Sequence, residues 1–226
     1  DKQLFNIVKY PKVRPTSIEI PILVSLSQLQ DIPSKNLILL VGPTGAGKST
    51  FCYQVALHSL VVERPIIFVT TELGPSDAER ALREKGLGEV EPGMLSFVDA
   101  YHETVGLSVP DRPDTLHAHC EDLSSIGIAI SKHQEVGKRG VLLIFDSLTS
   151  PYLFSGTEIL RFMRITLSRF AAEGNSVLAC MDEGCGKSED LAAMMSLSNG
   201  VIKIEMEKDK QLFNIVKYPK VRPTSI

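Results

Sequence analysis

Residues 37–50 read Leu-Ile-Leu-Leu-Val-Gly-Pro-Thr-Gly-Ala-Gly-Lys-Ser-Thr, and they restrict this chain more than any other stretch. Five apolar residues, Leu37 to Val41, predict a buried strand. It runs directly into Gly42-x-x-x-x-Gly47-Lys48-Ser49, and a helical pattern over 48–60 follows. A strand, a glycine loop and a helix in that order are the context in which P-loop spacing carries a mechanism. Gly42, Gly45 and Gly47 are read as giving the loop dihedrals closed to other residues. The loop Gly42, Pro43, Thr44, Gly45, Ala46, Gly47, Lys48, Ser49 and Thr50 would then cradle a polyphosphate with its N–H groups and the helix N-terminus. Lys48 would reach the β- and γ-phosphates, and the Ser49 hydroxyl would take one Mg²⁺ position. A glycine turn that merely contains Lys-Ser would not need every fixed position filled. The stretch predicts a nucleoside triphosphate site.

Such a site needs an α/β domain around it, and 226 residues are enough for one full core. With 43% hydrophobic and 23% charged residues the composition is that of an ordinary globular domain. No apolar run approaches the roughly 20 residues of a membrane span, and no secretory signal is read at the start. Cys52, Cys120, Cys180 and Cys185 form no CxxC pair and no zinc spacing, so they are expected to be free thiols in a reducing cytoplasm. A net charge of −3 argues against a general nucleic-acid surface, though not against a local basic groove.

Residues 1–18 recur unchanged at 209–226. A repeat confined to the two ends is no solenoid period. Each copy reads as a strand, Gln-Leu-Phe-Asn-Ile-Val, followed by a Pro-punctuated basic tail. The second copy fits behind Val201–Met206 as a hairpin with its turn at 207–210. The first is an extra strand in search of an edge: an artificial duplication, the end of a preceding similar domain, or a segment swapped onto a neighbour. The remaining 19–226 read as a single domain.

Residues 19–36 lead, with Pro21 and Pro33, into the first core strand. Ile66–Val69 predicts a second strand, and a capping box from Ser76 to Glu79 opens a short helix over 77–85 that Gly86 ends. Leu95–Val98 is a third strand. Residues 102–118 read as a loop. A helix spans about 120–136, with Leu123, Ile126 and Ile130 on one face. Val141–Phe145, wholly apolar, is a fourth and central strand. A helix over 158–172 places Ile159, Phe162, Met163, Thr166, Leu167 and Phe170 at helical spacing as a core stripe, and Ser176–Cys180 is a fifth strand. Strands apolar on both faces, alternating with helices, predict a mostly parallel sheet covered on both sides, with an antiparallel hairpin at one edge.

Asp146 follows the fourth strand at the end where α/β sheets place their ligands. Four large apolar residues and then Asp suit a Mg²⁺-organising carboxylate beside a P-loop, although Asp also ends strands simply as a turn former. Glu72 ends the second strand in Val-Thr-Thr-Glu-Leu. A strand adjacent to the P-loop strand would aim it at a water in line with the γ-phosphate, as a general base; otherwise it is a solvated surface residue. Asp182 and Glu183 either sense the γ-phosphate or begin a loop. Ser147 and Thr149 are polar candidates without a firm role. His117-x-His119-Cys120 has no second ligand pair nearby, so loop and helix-start roles are preferred over zinc.

With strand, P-loop, Glu72, Asp146 and closing hairpin in that order, residues 24–226 resemble the RecA superfamily, and more closely its KaiC/RadA-like branch of single-domain archaeal KaiC-like ATPases. The resemblance rests on Gly42–Thr50, Phe68-Val-Thr-Thr-Glu72, Phe97-Val-Asp-Ala-Tyr101, Phe145-Asp-Ser-Leu148, Asn199-Gly-Val-Ile202 and Val216-Lys217. It implies a RecA-like fold, ATP and Mg²⁺ as cofactors, and a homo-oligomeric, hexameric ring with ATP between subunits. Lys217, with Lys220 or Arg222, would then reach a neighbour's γ-phosphate. Where such proteins carry two glutamates after the second strand, this chain has Glu72-Leu73. Where they carry Lys-x-Arg after the last strand, it has Lys217-Tyr-Pro219, with Lys220 and Arg222 displaced. Slow hydrolysis is therefore expected, and Ser196 lies where KaiC-type autokinases carry phosphorylated residues.

The reading that follows is a cytoplasmic, Mg²⁺-dependent ATPase, a regulatory switch acting through assembly or an unknown protein partner. A non-hydrolysing nucleotide-binding scaffold is the alternative. A recombination or repair ATPase ranks lower, because the loop from Asp182 to Ser196 holds four acidic residues against Lys187 alone. A small-molecule kinase would need an Arg-rich lid, which is not read after the fourth strand.

Overall fold

The strand that leads into the glycine loop, β3 (Asn36–Gly42), is apolar on both faces because it is covered on both. Leu37, Leu39 and Val41 enter one core and Ile38 and Leu40 the other, all fully buried. The structure is a computed structural model that describes residues 31–109, 111–134, 140–207 and 210–219, together with the backbone of 4–6 and 17–19.

In chain order the elements are β1 (Leu4–Asn6), β2 (Ser17–Glu19), β3, α1 (Lys48–Val61), β4 (Ile66–Thr70), α2 (Pro75–Glu84), β5 (Leu95–Asp99) and β6 (Thr115–His117). There follow α3 (Leu123–Gln134), β7 (Leu142–Asp146), α4 (Thr149–Ser155), α5 (Glu158–Phe162), a π-helical turn (Met163–Leu167) and α6 (Ser168–Ala172). The chain closes with β8 (Ser176–Asp182), α7 (Ser188–Leu197), β9 (Gly200–Glu207) and β10 (Lys210–Lys217).

These strands form one ten-stranded sheet in the order β1-β2-β10-β9-β3-β8-β7-β4-β5-β6. From β9 to β6 every pairing is parallel, and β10 returns antiparallel beside β9. At the outer edge of β10, β2 pairs parallel at Ile18 and Glu19, and β1 pairs with β2. The mostly parallel, doubly covered sheet with a terminal antiparallel pair is the architecture expected from the sequence. One core packs α3 to α7 against the sheet, and the other packs α1, α2 and Phe213 of β10.

Several local expectations are corrected. No capping box opens α2: Gly74 caps it, Pro75 holds the first turn, and Glu79 turns instead to Arg83 and Arg112. Arg112 also grips Asp114 with two nitrogens, so a charged fork outcompetes a local cap. The 102–118 loop contains β6, three residues that complete the sheet edge beside β5. The helix expected from 120 starts at Leu123, where the Asp122 carboxylate accepts the Ser124 N–H. Helix α7 occupies most of the stretch from Asp182 to Ser196 that reads as a loop. The hairpin strands reach Glu207 and Lys210, so only 208–209 remain for the turn, and those lie outside the described residues.

Register fixes the geometry of the functional end. Gly42 pairs with Asp182, and Thr70 pairs with Asp146 on one side and Asp99 on the other. The carboxyl ends of the parallel strands therefore bring the glycine loop and several carboxylates to one edge. No helix among the described residues is long and apolar enough to cross a membrane.

Candidate functional site

The loop takes its shape from backbone that only glycine tolerates. Gly45 and Gly47 have φ of 79° and 90°. At Gly47 a Cβ would also meet the Gln211 amide nitrogen, the mobile end of a long side chain, so the positive φ is the firmer constraint. Gly42 differs from the expectation. Its φ is not positive, and what excludes a side chain is the Ile204 carbonyl of β9, 2.6 Å from where a Cβ would stand. Gln211 on β10 donates to the Ala46 carbonyl at 2.6 Å, so the terminal hairpin ties directly to the loop.

Lys48 opens α1 and is 7% exposed. Its ammonium donates to the carbonyls of Gly42 (3.0 Å) and Pro43 (2.8 Å) and pairs with Asp182 at 2.5 Å. A buried cation held this way is poised for an anion that can replace Asp182. One residue on, Ser49 Oγ donates to Asp146 Oδ1 at 3.2 Å. Burial pushes the Asp146 carboxyl up to about 6; the Ser49 hydrogen bond and Lys48 oppose that push, while Glu72 and Asp182 add to it.

Glu72 stands farther along the sheet than expected. Its strand, β4, is not adjacent to β3: β8 and β7 lie between them. The parallel order is set by crossovers through α3 and the α5–α6 segment, which no local pattern around Glu72 encodes. Its Oε1 accepts the Ser147 hydroxyl at 2.7 Å, and Glu72 remains exposed. Ser147 also receives the Thr71 hydroxyl at its carbonyl and donates its N–H to the Thr71 oxygen, both at 2.9 Å. Thr149 N–H donates to Ser147 Oγ, and Thr149 Oγ1 accepts the Asp182 N–H at 2.9 Å. Thr71, Ser147 and Thr149 thus join Glu72 to Asp182 through one polar chain. Thr71 went unread as a site residue; its place in Thr-Thr-Glu at a strand end is the sequence signal that marks it. Tyr152 of α4 holds the loop after Asp182, donating to Asp190 at 2.7 Å and accepting the Lys187 N–H. Glu183 donates its N–H to the Gly42 carbonyl and pairs with Lys203 at 3.1 Å.

Lys217 ends β10. It pairs in register with Val201, which pairs with Leu39, three residues before the loop starts at Gly42. Its ammonium meets the Ser196 carbonyl at 3.4 Å. Ser196 is exposed near the end of α7, and Lys220 and Arg222 lie outside the described residues.

The histidine cluster does not converge. His119 pairs with Glu103 at 3.0 Å, Cys120 is buried, and His117 Nδ1 stands 3.7 Å from Asp99 Oδ2 without a hydrogen bond. His102 takes the closer place on Asp99, at 2.7 Å. All four cysteines are free.

The sequence profile of the family described as "ATPase: KaiC" matches residues 16–226. Among curated proteins, the UPF0273 protein PH0284 of Pyrococcus horikoshii is 27% identical over 126 residues, covering 54% of this chain and 50% of the relative. The UPF0273 protein of Aeropyrum pernix is 30% identical over 129 residues, with coverages of 54% and 50%. The alignments thus span about half the length of these relatives. Among solved structures, the KaiC-like protein PH0186 of Pyrococcus horikoshii superposes with a TM-score of 0.62 at 18% identity, covering 84% of this chain and 82% of that one. At that identity the likeness speaks for the fold.

Proposed function

We propose that this chain, which belongs to the KaiC family of ATPases, hydrolyses Mg·ATP slowly at the loop 42–50 and uses the nucleotide state to switch its assembly or the binding of a partner. One observation carries the reading: Lys48 and the Ser49–Asp146 pair meet where left-handed glycines open the loop. The residues fit the group. Gly45 and Gly47 leave room and N–H donors for phosphate, and Lys48 supplies a buried cation. Ser49 and Asp146 offer the hard oxygens Mg²⁺ prefers.

When bound, Mg·ATP supplies the γ-phosphoryl group and the charge that polarises it. Lys48 would leave Asp182 for the phosphate oxygens, stabilising charge that grows as the bond to the leaving group lengthens. Glu72, oriented by Ser147, would take the proton of the attacking water. Leu73 gives that position no second carboxylate, in keeping with slow turnover. Lys217, whose ammonium meets the Ser196 carbonyl in its own chain, would act on a neighbour in a hexameric ring. The protein would work in the cytoplasm. Leu73 in place of a second glutamate keeps open a second reading, a nucleotide-binding scaffold without turnover.

Light scattering with and without Mg·ATP, with phosphate release followed in the same samples, tests these readings. The switch ATPase gives a ring that forms or changes with ATP, together with slow release. Glu72→Gln is expected to keep ATP binding and lower release roughly 100-fold, in the range of a lost general base. Unchanged release would remove Glu72 from catalysis. Lys217→Ala is expected to impair release in the assembled form while leaving ATP binding to the single chain intact; intact assembly and intact release would end the trans role. A monomer that binds ATP without releasing phosphate selects the scaffold.

A further inference from the structure

We propose that Cys52, Cys180 and Asp146 form a binding site for a soft or borderline divalent cation of the Zn²⁺ or Cd²⁺ class, which takes the Asp146 carboxylate away from magnesium. The second half of this statement rests on the reading of Asp146 given above; the first does not.

Cys52 lies one helical turn beyond Lys48 on α1. Cys180 lies on β8, opposite Leu40 of the strand that leads into the loop. Neither is exposed, and their sulfurs are 3.1 Å apart. Both sulfurs and a carboxylate oxygen of Asp146 fall within 4.8 Å of one another, which among the described residues is the one group of metal-ligating side chains so convergent. Two sulfurs and one oxygen are a donor set for a borderline-soft ion. Mg²⁺ prefers hard oxygens and surrenders its water reluctantly, so the set discriminates between the two.

Zn–S bonds of about 2.3 Å in a tetrahedral site put two sulfurs about 3.8 Å apart, a widening of about 0.7 Å from the 3.1 Å separation here. Ser49 Oγ, 3.2 Å from Asp146 Oδ1, is a neighbouring oxygen, and water could fill a fourth position. As the metal–sulfur bonds form, two thiol protons leave to solvent. The two thiolates and the carboxylate then carry three negative charges against the ion's two positive ones, and Lys48 lies close enough to act on both sulfurs. A disulfide is the competing outcome. It needs the sulfurs to close to about 2.05 Å and an oxidant to reach atoms with no exposed surface.

Co²⁺ titrated into the reduced full-length chain tests the site. One equivalent is expected to give a thiolate-to-metal charge-transfer band with tetrahedral visible absorption, displaced by Zn²⁺. Cys52→Ala and Cys180→Ala should each weaken the band strongly, while Cys120→Ala/Cys185→Ala should keep it. One equivalent of Zn²⁺ should weaken Mg·ATP binding at least tenfold in the parent chain and leave Cys52→Ala/Cys180→Ala unaffected. No charge-transfer band, or a band that survives Cys52→Ala/Cys180→Ala, would overturn the site. A reduced chain that ignores Co²⁺ but cross-links Cys52 to Cys180 under mild oxidation would replace it with a redox pair. Normal Co²⁺ binding with Mg·ATP affinity unmoved by Zn²⁺ would keep the site and remove Asp146 from the magnesium reading.

Discussion

Replacing Lys48 with methionine is expected to weaken ATP binding roughly a hundredfold or more, as judged by titration with a fluorescent ATP analogue. The ammonium would make charge-assisted hydrogen bonds to phosphate that a thioether cannot make, and losing about 3 kcal/mol is a factor of that order. The substitution also strikes the unliganded fold. Asp182 is 13% exposed and would lose the cation 2.5 Å from its carboxylate, at a cost of about 3 kcal/mol. Stability and binding must therefore be separated. Lys48→Met/Asp182→Asn removes the stranded charge and should recover most of the urea midpoint while leaving ATP binding lost. A double variant that regained binding would show that Lys48 acts only through Asp182. Retained affinity in Lys48→Met itself would remove the loop as the triphosphate site.

Asp146→Asn should make the metal-free protein more stable at neutral pH while removing its response to magnesium. Burial, with Glu72 and Asp182 adding to it against the Ser49 bond and Lys48, raises the Asp146 carboxyl from 3.8 to about 6. The folded chain thus holds this proton more tightly than the unfolded chain does. Stability is lost as pH rises between about 4 and 6, and the full cost is present above that window. Two units correspond to about 3 kcal/mol, or roughly 6–12 °C in Tm for a chain of this size. The amide keeps the shape and an acceptor for Ser49 but carries no charge. In thermal melts without metal the variant should therefore melt higher at pH 7.5, and its Tm should stay flat from pH 5 to 7 while the parent's falls. Added Mg·ATP should raise the parent's Tm well above the variant's response. A variant that melts lower than the parent at pH 7.5 would mean that Asp146 gains more from Ser49 and Lys48 than burial costs it.

The functional end was legible where chemistry is local. Gly42–Thr50 carries its phosphate logic in consecutive residues, and an apolar strand with Asp at its end needs no partner to be noticed. Asp146 could therefore be singled out in the sequence, and in the fold it accepts the Ser49 hydroxyl. Glu72 shows where that logic stops. Its strand was recognisable, but its distance from the loop depends on the insertion of β8 and β7, which follows from crossovers spanning much of the chain. Asp182 read as equally a sensor or a loop residue until the register Gly42↔Asp182 brought it to Lys48. Ser147 and Thr149 had no role until Thr71 and Glu72 arrived from another strand. Gln211 offered no signal at all, because its amide meets Ala46 from 165 residues away.

By itself, the sequence determined the alternation of buried strands and helices, the loop that can wrap an anion, and the residue types that can meet a cation. Apolar period, glycine conformation and side-chain chemistry act over a few neighbouring residues, so a linear reading captures them. Only the tertiary structure decided which carboxylate neutralises Lys48, how far Glu72 stands from it, and that Cys52 and Cys180 touch beneath Asp146. Those relations depend on strand order and register, which arise when both faces of the sheet are buried at once and every segment must find a place that satisfies all the others.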